Sequence, residues 1–172
     1  MYDSIRLLTI GMKISVVEAL ARRDDLEVMS LSHDALPERR RNLTVTSYVQ
    51  HQKISPTSIR RVRKVIQDFQ PDVIQTSGSR PLAHTILATI GMKQRPKILS
   101  YRGIATSPSP WRLEDRISYL SPRVDLHACE SGASLEAMVH GGVPEDRCFV
   151  AYNCLTRAPQ RPRDRSELSE FG

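Results

Sequence analysis

Aromatic residues are scarce in this chain, 5% of 172 residues with a single tryptophan. That scarcity argues against a stacking platform for single-stranded nucleic acid, and no known nucleic-acid-binding motif is present. Cysteines are few: Cys129, Cys148 and Cys154 form an odd set whose spacing fits no zinc pattern, and no secretory leader precedes them. Reduced thiols in a cytoplasmic protein are the simplest expectation. The five histidines, His33, His51, His84, His127 and His140, show no pairing at metal-ligand spacing, so no metal is expected. His84 falls mid-helix and His127 mid-strand, where a satisfied core histidine is the ordinary reading. Long apolar runs are also missing. The longest, Leu82 to Met92, contains a histidine and two threonines and is far short of the roughly 20 residues that cross a bilayer. Any membrane contact is therefore expected to be peripheral.

Hydrophobic residues make up 40% of the chain and charged residues 26%, ordinary usage for one globular domain. The formal charge is +6, which favours anionic partners without choosing among nucleic acid, an acidic membrane surface and phosphorylated sugars. Basic residues cluster at Arg39–Arg41, at Arg60, Arg61, Arg63 and Lys64, and at Arg157, Arg161, Arg163 and Arg165. Each cluster also reads as an ordinary solvated face.

Four prolines, Pro71, Pro96, Pro122 and Pro144, separate helical patterns from short apolar runs. Proline ends the preceding helix because it lacks a donor and pushes its neighbour toward extended geometry. The runs after them predict strands over Val73–Thr76, Lys97–Tyr101, Val124–Cys129 and Cys148–Tyr152, joining earlier ones over Ile5–Ile10, Glu27–Leu31 and Leu43–Val49. Apolar residues at helical spacing predict helices over Lys13–Arg23, Ser58–Phe69, Leu82–Ile90, Trp111–Leu120 and Ser134–His140. Strands alternating with helices mean an α/β fold: a doubly wound, Rossmann-like parallel sheet of about seven strands with helices on both faces. Ligands of such sheets bind beyond the carboxyl ends of the strands.

Those ends carry the candidate residues. Gly11, Met12 and Lys13 follow the first strand. Gly78, Ser79 and Arg80 precede a helix start, where exposed amides attract anions and Ser79 also reads as a cap. Arg102, followed by Gly103, offers a fork for phosphate or carboxylate, or a structural ion pair with Glu130 or Asp115. Glu130 and Ser131 repeat the pattern, with Glu130 aimed at the cleft as a base or serving as a pairing residue, and Ser131 or Ser134 as a cap. The turn Gly11-Met12-Lys13-Ile14-Ser15 lacks both the dinucleotide fingerprint and the P-loop pattern. That weakens a stand-alone nucleotide-binding module. Past residue 155, Thr156–Arg165 is rich in proline and arginine, as linkers are, and Ser166–Phe171 begins a helix-like pattern.

Five pieces in order resemble the amino-terminal half of family 4 glycosyltransferases. They are Ile10-Gly11-Met12, Pro71-Asp72-Val73-Ile74 leading to Gly78, Ile98 to Gly103, Val124-Asp125-Leu126 leading to Ser131, and Gly142-Val143-Pro144 leading to Asn153. The resemblance implies the two-domain GT-B arrangement, with residues 1–155 as the acceptor-side domain. The ten residues from Gly11 to Ser131 would then bind a sugar or a lipid-linked acceptor, and catalytic residues stay unassigned. It implies that the nucleotide-sugar donor binds a second domain, which would begin after the linker at 156–172, and that the isolated chain is an inactive hexosyltransferase half. Arg102 stands where the family commonly has histidine, Gln75 where another is frequent, and Cys154 replaces a glycine, so the histidine role does not carry over. Related enzymes often work at membranes, which makes the basic helix Ser58–Phe69 a candidate peripheral contact at the inner membrane face. A non-catalytic subunit pairing with a separate donor-domain protein is the alternative.

Overall fold

The computed structural model describes residues 4–32, 43–47 and 55–152. The expectations at His33, His51, Arg39–Arg41, Tyr48, Val49, Asn153, Cys154 and the whole 156–172 segment lie outside the described residues.

Seven parallel strands form one sheet in the order β3-β2-β1-β4-β5-β6-β7. They are β1 (Ile5–Ile10), β2 (Leu26–Ser32), β3 (Leu43–Ser47), β4 (Val73–Ser77), β5 (Lys97–Arg102), β6 (Leu126–Cys129) and β7 (Cys148–Val150). The helices are α1 (Ile14–Leu20), α2 (Pro56–Phe69), α3 (Ser79–Ala88), α4 (Leu113–Ile117) and α5 (Gly132–His140). The strand order reverses at β1. Right-handed crossovers therefore send α1 to one face and α2 to α5 to the other.

On the well-covered face, Leu8, Ile10, Leu31 and Ile74 pack under Val62, Ile66 and Phe69 of α2. Beside them Ile98 and Cys129 pack under Leu82 and Ile86 of α3 and Met138 of α5. On the opposite face α1 sets Val17 against Val28 and Leu43. No described helix covers the rest of that face, over β4 to β7, where Leu126 and Phe149 stay exposed.

The two aspartates of the quoted motifs do the same structural job. Asp72 accepts the Arg6 amide at 2.8 Å on its carboxylate while its own amide donates to the Arg6 carbonyl at 2.9 Å. Asp125 forms the same reciprocal clasp with Ile98, at 2.8 and 2.9 Å. Each fixes the start of one strand against its neighbour, at the edge of the sheet away from the carboxyl ends.

Several element ends differ from expectation by one to three residues, and in three elements the cause is visible. Val124 is not in a strand: it closes a turn on Ser121, and β6 begins only after the Asp125 clasp. Trp111 and Arg112 precede α4, which stops at Ile117 because Ser118 leaves helical geometry and its hydroxyl bonds the Glu114 carbonyl. The third helix starts three residues early, since Gly78 sets its first turn. Both interior histidines are core residues: His84 accepts the Ser55 amide at 3.2 Å, and His127 Nδ1 lies 2.6 Å from Ser100 Oγ.

Candidate functional site

Because all seven strands are parallel, their carboxyl ends share one edge. The loops there are joined by close contacts. Gly11 adopts φ +71°, and a side chain on it would meet the Pro81 ring at 3.0 Å and the Ser77 carbonyl at 3.2 Å. The loop after β1 thus lies directly on the loop after β4, an approach that glycine alone allows.

Gly78 is the N-cap of α3 at φ +92° and contributes no side-chain cap. The capping expected of Ser79 is not found. Its hydroxyl instead donates to Glu114 at 2.6 Å, tying α3 to α4 and leaving the first amides of α3 without a side-chain cap. Arg80 beside it is exposed. Ser131 does cap its helix, accepting the Ser134 amide at 3.2 Å.

Arg102 turns inward. It is 5% exposed, its guanidinium lies 4.2 Å above the Tyr119 ring, and it donates to the Thr106 carbonyl and hydroxyl. Its Nε is buried without a partner. The ion pair expected with Asp115 gives way to other bonds, since Asp115 accepts the Ser109 amide at 2.9 Å. Arg102 therefore braces the loop after β5.

With Arg102 inward, alternation along β5 turns Tyr101 to the open face. Glu130 lies beside it, its carboxylate so near Gly103 that an added side chain would stand 2.7 Å from Oε2. Burial first, then the Glu130 charge and hydrogen bond, raise the Tyr101 phenol above its ordinary value. Among the expected residues, Met12 and Lys13 border a cleft of about 300 Å³ whose other walls include Ser77, Leu99, Tyr101 and Phe149. The other eight expected residues, Arg102, Glu130 and Ser131 among them, do not line it. Ser77 and Gln75, each singled out by the sequence, join this wall, while Tyr101 was missed as a site residue, although the two-residue period of β5 points it opposite to Arg102.

A larger groove of about 850 Å³ opens at the other edge of the sheet, between Arg63, Gln67, Asp72 and Lys93. It lies among the strand-start clasps, away from the glycine loops. Among the described residues no group of three His, Cys, Asp or Glu side chains could hold a metal ion, and no helix is long and apolar enough to cross a membrane.

Residues 14–157 match the profile described as "Glycosyltransferase Family 4", more than half of the chain. The chain belongs to glycosyltransferase family 4. The match begins just after Gly11-Met12-Lys13, so that first loop lies outside it. No curated protein matches the sequence closely enough to count as a relative.

Solved structures share the fold at low identity. A glycosyltransferase from Rickettsia africae superposes with a TM-score of 0.67 at 13% identity, covering 99% of this chain and 49% of that one. HepE from Anabaena, in complex with UDP-glucose, gives 0.65 at 15%, covering 98% and 49%. A UDP-GlcNAc 2-epimerase from Neisseria meningitidis gives 0.57 at 15%, covering 85% and 45%. The chain spans about half the length of these proteins. They show the fold, and an epimerase among them shows that the fold does not fix the reaction.

Proposed function

We propose that this chain is the acceptor-binding half of a glycosyltransferase that moves a sugar from a nucleotide-sugar donor to an acceptor held at the carboxyl edge of the sheet. Family membership supports the reaction class. The observation that carries the site is the closure of the first and fourth loops on each other through Gly11, beside the cleft of Met12, Lys13, Ser77 and Tyr101. Lys13 supplies an exposed ammonium, the start of α3 supplies backbone amides for an anion, and Glu130 supplies a carboxylate near the phenol of Tyr101. The apolar walls suit the non-polar face of a sugar ring or the apolar part of an acceptor.

The donor and its diphosphate belong to a second domain, so the isolated chain transfers nothing. A nucleotide-release assay with the purified chain and a panel of nucleotide sugars tests this, and any turnover overturns it. The exposed Leu126 and Phe149 on the uncovered half-sheet favour a second reading, a non-catalytic subunit pairing with a separate donor-domain protein. Co-purification of the native chain with such a polypeptide decides for that reading.

A further inference from the structure

The loop after β5 and the first turn of α4 sort their side chains by charge. Both acids are held inward, Glu114 by the Ser79 hydroxyl at 2.6 Å and Asp115 by the Ser109 amide at 2.9 Å. The charged side chains left facing solvent are the cations Arg112 and Arg116, beside Trp111 at 94% exposure and Leu113 at 64%, with the neutral Thr106 and Ser107 also exposed. Ile104, earlier in the same loop, is 56% exposed, and Arg80 is exposed next to the Ser79 that tethers Glu114. The chain's single tryptophan is thus spent on the surface rather than the core.

An indole has an apolar body and one polar N–H, which suits the boundary between lipid headgroups and acyl chains. Arginines beside it match lipid phosphates. We infer that this edge seats on an anionic lipid bilayer, with Trp111 and Leu113 entering the headgroup layer while Arg112 and Arg116 pair with lipid phosphates. The basic face of α2 is less suited to that role. Arg63 donates to the carbonyls of Ala88 and Ile90, both at 2.9 Å, and Lys64 pairs with Asp68 at 3.1 Å. The patch belongs to the same sheet edge as the cleft, so seating it brings the acceptor loops toward the lipid surface.

The lone tryptophan makes the test direct, because all indole emission comes from Trp111. Vesicles of phosphatidylcholine containing phosphatidylglycerol should shift the emission to the blue and carry the protein down on sedimentation. Pure phosphatidylcholine should do so weakly, and salt should reverse the effect. Each basic residue near an anionic surface contributes about five-fold to partitioning, so the double variant Arg112→Gln/Arg116→Gln should bind roughly 25-fold more weakly. Trp111→Ala should lose sedimentation, and Arg60→Gln/Arg61→Gln on α2 should keep it. Unchanged emission with every vesicle overturns the inference, as does loss of binding in the α2 variant alone. Emission already blue in the protein by itself, with a dimer on ultracentrifugation, overturns it too, because a second copy then covers the patch. No sugar takes part, so failure here leaves the transferase reading standing.

Discussion

Replacing Asp125 by alanine tests whether the aspartate of the Val124-Asp125-Leu126 motif is structural. Its carboxylate takes the Ile98 amide at 2.8 Å, Arg95 at 2.8 and 3.2 Å, and Lys97 at 3.2 Å. The Lys97 side chain is 74% exposed and contributes almost nothing through solvent. Arg95 is one-third exposed, and its two-pronged pairing contributes about 0.5–1 kcal/mol after screening. The Ile98 amide belongs to a fully buried residue, and leaving such a donor unpaired costs about 1–3 kcal/mol. Asp125→Ala should therefore destabilise by about 1.5–4 kcal/mol. Asp125→Asn, which keeps an acceptor for Ile98, should lose only about 1 kcal/mol.

Burial raises the Asp125 pKa, but hydrogen bonds from Arg95, Ile98 and Lys97 outweigh it and hold the carboxyl below its ordinary value. A depressed folded pKa gives stability that is present above the unfolded value and lost as pH falls through the folded one. Wild type and Asp125→Asn should thus converge in acid. Urea unfolding followed by circular dichroism, at neutral pH and stepwise toward pH 3, measures both. An alanine variant within about 0.5 kcal/mol of wild type, or a gap that does not close in acid, refutes the clasp.

Three further outcomes follow from the site and the core. Gly11→Ala places a side chain at positive φ against Pro81 and Ser77 and should cost about 2–3 kcal/mol; a loss under about 0.5 in urea would mean the two loops are not in contact. Arg102→Lys removes the fork that reaches Thr106 and lies over Tyr119, so stability should fall by about 1.5–3 kcal/mol while sugar binding at the cleft stays unchanged. Loss of sugar binding with full stability would instead return Arg102 to the ligand. Burial, aided by the charges of Arg147 and Arg102, lowers the His127 pKa from 6.5 to about 4. The unfolded chain then binds the extra proton first, so stability should decline as pH falls from about 6.5 toward 4, and His127→Gln should flatten that decline.

Much of the fold is legible in the sequence because proline and apolar runs mark parallel strands strongly. β1 falls at the expected Ile5–Ile10, and the other six strands overlap their predicted runs. Asp125 shows where the pattern misleads: an apolar Val124 beside a strand reads as strand, yet the carboxylate clasp holds it in a turn. The glycine loops were readable because Gly11 and Gly78 need positive φ. The direction of Arg102 was not, because β5 sets Ile98, Ser100 and Arg102 on one face and Leu99 and Tyr101 on the other, so neither face stands out as the apolar one. Which side the helices cover follows only from the reversal of strand order at β1, and that reversal puts Arg102 inside and Tyr101 at the cleft. Trp111 was read as the start of an amphipathic helix, since spacing alone does not reveal that α4 begins after it.

The most direct test of the acceptor edge is a titration of the isotope-labelled chain, followed by amide shifts in the nuclear magnetic resonance spectrum. Simple sugars and octyl glucoside should move Gly11–Lys13, Ser77–Arg80, Tyr101, Gly103 and Glu130, while UDP alone moves none of them in a saturable way. Shifts gathered instead at Arg63, Gln67 and Lys93, or saturable UDP binding at the glycine loops, would contradict the account.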